Sequence, residues 1–571
     1  MNAHLSALLA RRTKIKEQVA ASRRQFVCAA AAFAAIPTGC AHAPAGGAFF
    51  EVRAFGAVGD GKTDDTQSVQ RALDVCASRG GGTVFVAAGT YMIRPIRIGS
   101  RTTLHLDAGS KLLGSATLEH YPLEAAGASG HESSRAGLVT CEGGDYVAII
   151  GRGVIDGNGR VFVKDDLSYP GKDHDPKATR QGESFMKPGP EGFPDGPFAR
   201  TNDRPGNLVR FRKCRNVLIA GIGIANSPTW TTHLEECTDV LIQGVDINTR
   251  DHTLRIPNDD GIDLSRCRQV RIVGCNIETG DDCIAIFGSH NVAVSTCTLT
   301  CKSTGIRVGY NGGSIKNCTF DNLLIRSSHR GVSVFVRSKD DVEDISFSNI
   351  IIESQHFTGR WWGKAEPIHV SALLWDPEAQ TPGTIRNVRF HNISAIGEAG
   401  MLIYGTPDSV IEDVMFSDIK LHIRKGPLQS TYGGNFDLRA TRDKATAIFK
   451  HDIPALHCER VKGLSVTNLK VTWDNDLPEY FTSALALEAC EDVTVQGFTG
   501  KQAHATGAAI AVANSKEVVI RNSVAAAGTD VFVSPKNVAG RMALLDSDAS
   551  RAKLLVDPAG GTTELHNNRV Y

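Results

Sequence analysis

The chain has 571 residues, a length that by itself predicts two to four domains unless the sequence repeats, because a repeat packs only on its neighbours. Lys plus Arg and Asp plus Glu balance at 62 each, which excludes a global electrostatic field that would favour nucleic acid or an anionic membrane as a partner. The hydrophobic fraction of 42% is typical of soluble globular proteins.

Residues 1–43 are predicted to be an export signal of the twin-arginine type. Residues 22–26 read SRRQF, an Ala-rich apolar run follows over 27–36, and AHA at 41–43 resembles a cleavage site. The apolar run is too short to span a membrane as a stable anchor. The protein is therefore expected to be exported to the periplasm, the cell surface or the medium, and whether Cys40 is lipidated stays open.

A short helix is predicted next. Thr63 or Asp64 can cap it, and Val69, Leu73 and Cys76 would share one apolar face. A glycine run at 80–82 ends the pattern. A helix before stacked strands would cover the first open sheet edge, which otherwise invites aggregation, so we expect a capping helix.

From Val147 onward, an apolar residue is followed five positions later by another, usually after a turn of Asn, Asp or Gly. Starts between Ile219 and Ile345 lie 23, 30, 22, 21 and 30 residues apart, and a fixed period of this size marks a solenoid. The runs are short and β-branched, which favours strands over the helices or leucines of other solenoids. Residues 44–571 are therefore predicted to form one all-β, single-stranded right-handed parallel β-helix with loop insertions.

The cysteines occupy two phases of this repeat. Such columns would stack as ladders of small buried residues. A metal site is the alternative, but neither a Cys-x-x-Cys motif nor a His cluster accompanies them, so core packing is expected and no metal or other cofactor. The two columns are Cys214, Cys237 and Cys267, and Cys275, Cys297 and Cys318.

Two carboxylate pairs stand close together, Asp259-Asp260 and Asp281-Asp282, each beside a glycine and followed by apolar residues. The second pair begins 21 residues after Asp260, which equals one coil. Stacked coils would bring the pairs together, with strands ~4.8 Å apart. Crowded carboxylates raise at least one pKa, which provides a general acid at neutral pH beside a base. Either pair alone is more typical of a turn.

Two insertions interrupt the coils, near 157–207 and 355–378. Insertions of the first one's length are usually functional or disordered. The second carries Trp361 and Trp362, and the cations Arg360 and Lys364 flank them. Paired tryptophans beside charges suit sugar rings, which pack on aromatic faces while their hydroxyls bond to the charged groups. The alternative is that the tryptophans anchor the loop to the β-helix.

Several motifs occur in the order seen in one known family, and the chain resembles the polygalacturonase-like enzymes of glycoside hydrolase family 28, within the pectin-lyase-like parallel β-helix superfamily. The segment from Phe55 to Ala88 also resembles the N-terminal region of pectin-acting β-helix proteins. The motifs are VIDGNG at 154–159, RP at 204–205, NSPTW at 226–230 with His233, NDDG at 258–261 and GDDC at 280–283.

The resemblance implies a glycoside hydrolase that inverts configuration. Asp281 would be the general acid, while Asp260 and Asp282 would activate the attacking water. Asn258 and His233 lie in the same motifs and are expected to bind substrate. Inverting enzymes usually hold their carboxyl groups ~6.5–9.5 Å apart, whereas stacked coils give less.

The sequence departs from the family at two places. Ser303-Thr304-Gly305 stands where the family has Gly-His-Gly, and Ser333-Val334-Phe335 stands where it has Arg-Ile-Lys. The histidine and both cations that grip a galacturonate carboxylate are therefore missing, so polygalacturonate is expected to be a poor substrate. Arg307 and Arg337 could supply a differently placed grip, since a guanidinium binds carboxylate in a bidentate manner, or they could be solvated.

Three functions stay open at this point. The first is an exported hydrolase of an α-linked, uronate-containing or pectin-like polysaccharide or oligosaccharide, which the three acids favour. The second is a non-catalytic carbohydrate-binding β-helix, which the missing histidine favours. The third is a polysaccharide lyase, which would need a base near the sugar C5 proton where the chain offers no Lys or Arg.

Overall fold

The computed structural model describes residues 48–124, 133–165, 173–185, 199–200, 203–250, 256–358, 361–376, 381–560 and 563–570. The predicted export signal at 1–43 lies outside them. Residues 48–571 form one compact unit. None of the helices in the described ranges combines the length and apolar character needed to cross a membrane.

Two long sheets of parallel strands wind along this unit, which confirms the predicted parallel β-helix. Each coil returns to the same sheet one strand further on, and such parallel crossovers are right-handed in almost all proteins. In the middle coils, from Ile315 to Trp473, two short strands of the first sheet merge into one long strand, as in Ile315–Ser328.

The first sheet, called sheet 1, contains these described strands: Phe49–Glu51, Asp60–Asp64, Gly82–Val86, Gly89–Ile93, Thr102–Leu106, Ser110–Gly114, Asp145–Gly151, Val154–Asp156, Arg215–Ala220, Gly223–Ala225, Thr238–Gln243, Asp246–Asn248, Arg268–Val273, Asn276–Thr279, His290–Ser295, Thr298–Cys301, Ile315–Ser328, Val342–Ser354, Ile385–Gly397, Ile411–Ile423, Val461–Trp473, Glu491–Gln496, Thr499–Gly500, Lys516–Arg521, Val524–Ala525, Ala539–Leu545 and Glu564–His566. The second, called sheet 2, contains Ile96–Arg97, Val139–Glu142, Val209–Arg212, Thr232–Glu235, Ile262–Ser265, Ile284–Phe287, Thr304–Tyr310, Arg330–Val336, Ile368–Ala372, Met401–Tyr404, Leu456–Glu459, Leu485–Glu488, Ala508–Ala513, Thr529–Lys536 and Ala552–Val556.

Polar turns between strands recur at the same position of successive coils. Asn216, Asp239, Asn291 and Asn317 all adopt positive φ between 53° and 58°, and Gln269 does so in the coil between Asp239 and Asn291. Short amide and carboxylate side chains tolerate this left-handed conformation better than other non-glycine residues. The Asn317 amide also donates to Asn291 Oδ1 of the preceding coil at 3.1 Å, so these turns form a side-chain ladder.

The interior is a continuous apolar core of stacked columns. Phe320, Phe347, Phe390 and Phe416 stack with centroid separations of 4.7, 5.2 and 4.9 Å. The two cysteine columns are buried as free thiols, and their sulfurs donate to carbonyl groups, as Cys267 does to Leu234 O of the preceding coil at 3.2 Å. The prediction that the cysteines pack in the core is confirmed.

The capping helix, α1, spans Thr66–Ser78 and buries Val69, Leu73 and Cys76 against the first strands. It begins after the predicted cap. Asp64 still accepts from the Thr66 amide at 3.1 Å. Asp65, at the N-cap position, instead accepts from the amides of Val58 and Gly59 and ties the preceding loop to the helix.

Loops far apart in sequence pack together over sheet 2. The described segment 173–185 of the first insertion contacts a third insertion, 424–453, which the repeat pattern did not reveal. Arg180 donates to the Gly434 carbonyl at 3.1 Å and to Asp452 at 2.7 Å. The third insertion contains the helices Gln429–Tyr432 and Lys444–Ala447 and an antiparallel pair, Asn435–Asp437 with Ile448–Lys450.

Short elements complete the described chain. Lys164–Asp165 and Ala199–Arg200 form a second antiparallel pair. The 3₁₀ helices are Val52–Phe55, Leu118–His120, Gly159–Phe162, Pro176–Ala178, Gly182–Ser184 and Pro558–Gly560.

Candidate active site

Two of the predicted acids lie where successive coils enter sheet 2. Asp260 and Asp282 precede strands that begin at Ile262 and Ile284 and pair in register. The Gly261 amide donates to the Asp282 carbonyl at 2.9 Å, so the acids occupy matching positions one coil apart. A Cβ at position 261 would lie 2.5 Å from a carbonyl oxygen of the next coil. Only glycine therefore permits this close approach.

Asp260, Asp281 and Asp282 form one group of side chains, called here the acid cluster. One carboxylate oxygen of each lies within 4.8 Å of the others. Asp260 and Asp282 are 3% exposed, and Asp281 is half-buried. The structure thus brings together the acids whose 21-residue spacing predicted contact. Oxygen ligands at this separation could hold a hard cation such as Ca²⁺.

Arg307 supplies a positive charge inside the acid cluster. Its Nε donates to Asp282, and its Nη2 lies 3.8 Å from Asp260 Oδ2. Arg307 is buried, so the solvated alternative is wrong, and it is already paired with the protein's own acids. Ser303 Oγ and the Thr304 amide also donate to Asp282, at 2.6 and 2.9 Å. Residues that replace the family's histidine therefore hold this carboxylate.

Burial and crowding raise the pKa of two acids. Burial, followed by the charges of Asp282 and Asp259, raises the pKa of Asp281 to about 8. Burial, followed by the neighbouring carboxylates, raises the pKa of Asp260 well above its ordinary value. Arg307 opposes both shifts. Such groups titrate together, so the cluster retains a proton at neutral pH while Arg307 offsets its charge.

Two more acids border the cluster. Asp259 is buried below it, where it accepts from the Gly280 amide at 2.9 Å and from Thr249 Oγ1 at 3.3 Å, which indicates a structural role. Asp263 was missed by the sequence analysis, although it ends the same motif. It is buried at a sheet 2 position in register with His233, and its charge contributes to the raised pKa of Asp260.

Asn258 and His233 are both held by protein groups. The Asn258 backbone amide donates to Asp281 Oδ2 at 3.2 Å. Arg204 donates to the Asn258 side-chain oxygen, Oδ1, at 2.9 Å. The ring nitrogens of His233 bond to Asn207 and Ser265 at 2.9 Å each. Asn258 thus orients the candidate acid, whereas His233 braces neighbouring coils.

Arg337 does not take the position expected for a substrate grip. Its guanidinium is buried and donates to carbonyls of Val336, Ser371 and Leu438 at 2.9 to 3.0 Å, and to Ser371 Oγ at 2.8 Å. Strand alternation does point this residue out of the core, but the third insertion covers it. Arg337 therefore ties that insertion to sheet 2, and the expected carboxylate contact is corrected.

The two tryptophans and two cations predicted to bind sugar do not form one exposed site. Trp361 is 5% exposed, packs on Phe357 and accepts from Arg439 through its carbonyl, so it anchors the loop. Trp362 is half-buried and remains near the surface. Lys364 is buried beside Asp437, at 3.5 Å, and burial lowers its pKa to about 8. Arg360 lies outside the described residues.

A parallel β-helix that holds an acid cluster at the edge of one sheet is the arrangement that the family resemblance implied. Residues 196–431 match the family model for glycosyl hydrolases family 28. Residues 49–116 match the model for rhamnogalacturonase A/epimerase, pectate lyase-like proteins. The resemblance to family 28 is therefore confirmed over the matched region, and it supports a glycoside hydrolase.

Known relatives agree with this family. A protein named probable polygalacturonase from Arabidopsis thaliana is 30% identical over 284 residues, which are 48% of this chain and 51% of that protein. An exopolygalacturonase of Zea mays is 24% identical over 371 residues, covering 61% of this chain and 77% of that one. The chain spans about half the length of the first of these relatives.

A solved structure is also similar. The polygalacturonase from Erwinia carotovora ssp. carotovora has a TM-score of 0.46 and 15% identity, over 77% of this chain and 99% of that chain.

Proposed function

We propose that this protein hydrolyses an α-linked, uronate-containing or pectin-like glycan. The observation that carries the proposal is the acid cluster: three carboxylates within 4.8 Å of one another, with a buried arginine between two of them. Structural acids at turns need neither this crowding nor the raised pKa values. Perturbed carboxylates of this kind are typical of catalytic sites.

Asp281 is the proposed general acid. Its oxygens accept backbone hydrogen bonds from Asn258 and Asp282, which fix the carboxyl group while leaving it half-buried at the surface of the cluster. A pKa of about 8 keeps it protonated at neutral pH. The group can therefore donate its proton to the glycosidic oxygen as that bond breaks.

Asp282 and Asp260 are proposed to activate the water. Asp282 accepts three hydrogen bonds, from Ser303, Thr304 and Arg307, and these fix the position of its carboxyl group. The pKa of Asp260 stays raised by burial and by the neighbouring carboxylates although Arg307 opposes that shift, so Asp260 would act as a base in the fraction of molecules in which it has lost its proton. A water held by these two acids would attack the anomeric carbon from the side opposite Asp281, and this displacement inverts the configuration.

The separation of the acids is shorter than usual for inversion. Most inverting enzymes leave ~6.5–9.5 Å between one acid and one base, whereas the nearest oxygens here lie within 4.8 Å. Asp260 and Asp282 would hold one water between them. The water therefore needs room only on the side of these two carboxylates that faces the sugar. The anomer of the product is therefore the decisive observable.

The lack of a free cation at the family's grip positions argues against polygalacturonate. Ser333 and Phe335 are buried and uncharged, and Arg307 and Arg337 are occupied by protein groups. Among the described residues, the expected cationic grip is therefore not formed. The predicted export signal would place the activity outside the cytoplasm, in the periplasm, on the surface or in the medium.

We expect the purified protein to release reducing ends from a pectic glycan other than unsubstituted polygalacturonate. The panel would contain polygalacturonate, methyl-esterified pectin, rhamnogalacturonan and xylogalacturonan. Polygalacturonate should be cleaved at least roughly tenfold more slowly than the best substrate, since a charged hydrogen bond contributes ~1.5–3 kcal/mol.

The control is Asp281→Asn, which should release almost none. If the folded protein binds a panel glycan without cleaving it, the carbohydrate-binding function replaces the hydrolase. An unsaturated product would identify a lyase, and fastest cleavage of polygalacturonate would refute the substrate preference.

A further inference from the structure

Three aromatic side chains form a surface beside the acid cluster, called here the aromatic shelf: Tyr310, Trp362 and Trp375. The Tyr310 ring lies in the middle, with its centroid 5.4 Å from that of Trp362 and 6.3 Å from that of Trp375. Trp375 is 39% exposed, and the other two are half-buried. Neither Tyr310 nor Trp375 was a candidate from sequence.

The shelf is held rigidly despite its exposure. The Trp375 amide donates to the Arg337 carbonyl at 2.8 Å, and its carbonyl accepts from the Arg442 amide at 2.7 Å. Tyr310 adopts φ of 121°, a conformation that is strained for a bulky residue. Such strain persists only where the surrounding structure imposes it, and it is concentrated at functional sites. An exposed indole on a backbone held in this way is suited to contact a ligand rather than the core.

The shelf is continuous with the acid cluster through one side chain. The Arg307 guanidinium carbon lies 5.9 Å from the Tyr310 ring centroid, while its Nη2 lies 3.8 Å from Asp260 Oδ2. The Arg307 guanidinium therefore lies between the acid cluster and the aromatic shelf. At the outer end, Asp376 and Arg442 form an exposed ion pair at 2.8 Å beside Trp375.

We propose that the aromatic shelf binds a pyranose ring of the substrate adjacent to the ring that reacts at the acid cluster. The proposal rests on the proposed function, because the acids define which ring reacts. The apolar C–H face of the sugar packs on the exposed Trp375 ring. Its hydroxyls bond to Asp376 and Arg442 at the edge. Stacking is insensitive to sugar charge, so the subsite accepts neutral and acidic rings.

The test measures dissociation constants by calorimetry in the Asp281→Asn protein, where the ligand is not consumed. The probes are oligogalacturonides from dimer to hexamer and their methyl esters. Affinity should rise at the chain length that first reaches the shelf. Adding Trp375→Ala should abolish that step and weaken binding of the longer oligomers about two- to tenfold in both series, with the shortest oligomers unchanged.

Two further variants complete the design. Trp375→Phe retains a ring and should recover most of the step, while Ile351→Ala, an exposed apolar side chain of sheet 1, should change no affinity. Equal affinities with and without Trp375→Ala, or weakening of all lengths alike, would overturn the shelf while the proposed function stands. If no oligomer bound before Trp375 was changed, the shelf would be overturned, while the proposed function, which expects polygalacturonate to be a poor substrate, would still be decided by the substrate panel.

Discussion

Asp281→Asn is expected to lower turnover on the best substrate by about 10²–10⁴-fold, because the amide keeps the shape but cannot donate the proton. The parent's rate should also fall as pH rises through about 8, where Asp281 loses its proton. Initial rates measured from pH 5 to 10 in both proteins check the size of the loss and its pH dependence.

The same substitution should also change how the free energy of unfolding depends on pH. The pKa of Asp281 is raised in the folded state from 3.8 to about 8, so the parent's free energy of unfolding, relative to Asp281→Asn, falls as pH rises through this window. Asp246→Asn is the matched control, since that acid is exposed and its carboxylate accepts a hydrogen bond from the Asn276 side-chain amide at 3.2 Å. Near-normal turnover on a substrate with a poor leaving group would contradict the role of Asp281.

Arg307→Met is expected to have the second large effect, on both rate and stability. Removing one partner of a buried ion pair typically costs ~3–5 kcal/mol, because the remaining charge loses its compensation. The pKa values of Asp260 and Asp281 should rise further, since Arg307 lowers both. Water activation should then fail, with a rate loss of about 10²-fold or more. Urea unfolding and initial rates measure the two effects.

Arg212→Met is the control, because that arginine forms a partly exposed pair with Glu142 on the same sheet, and such pairs contribute only ~0–1 kcal/mol. Arg307→Lys should restore part of the stability and rate by retaining the charge. If Arg307→Met weakened only the binding of acidic sugars and left stability and pH dependence unchanged, Arg307 would be a substrate grip after all.

The fold was predictable because a coil is a local pattern. An apolar pair at fixed spacing and an Asn or Asp turn recur within each coil, so short stretches of sequence specify it. The acid cluster was predictable for the same reason, since Asp260 and Asp282 are 22 residues apart, about one coil, and therefore occupy matching positions of neighbouring coils.

The loops were not predictable because their contacts join residues far apart in the chain. Alternation correctly points Arg337 out of the core, but the third insertion, about a hundred residues later, buries it. The same cover makes Trp361 an anchor while Trp375, which stood in no recognised motif, stays exposed. Sequence identifies which residue types could bind a sugar, and loop packing decides which of them reach the surface.

The anomer formed first tests the central claim most directly. Time-resolved proton NMR of the parent acting on its α-linked substrate would record the product before mutarotation. Attack by a water held between Asp260 and Asp282, opposite Asp281, predicts that the β anomer appears first. Initial release of the α anomer would contradict this account and would mean that one acid attacks the sugar directly, as the short separation of the carboxylates alone would favour.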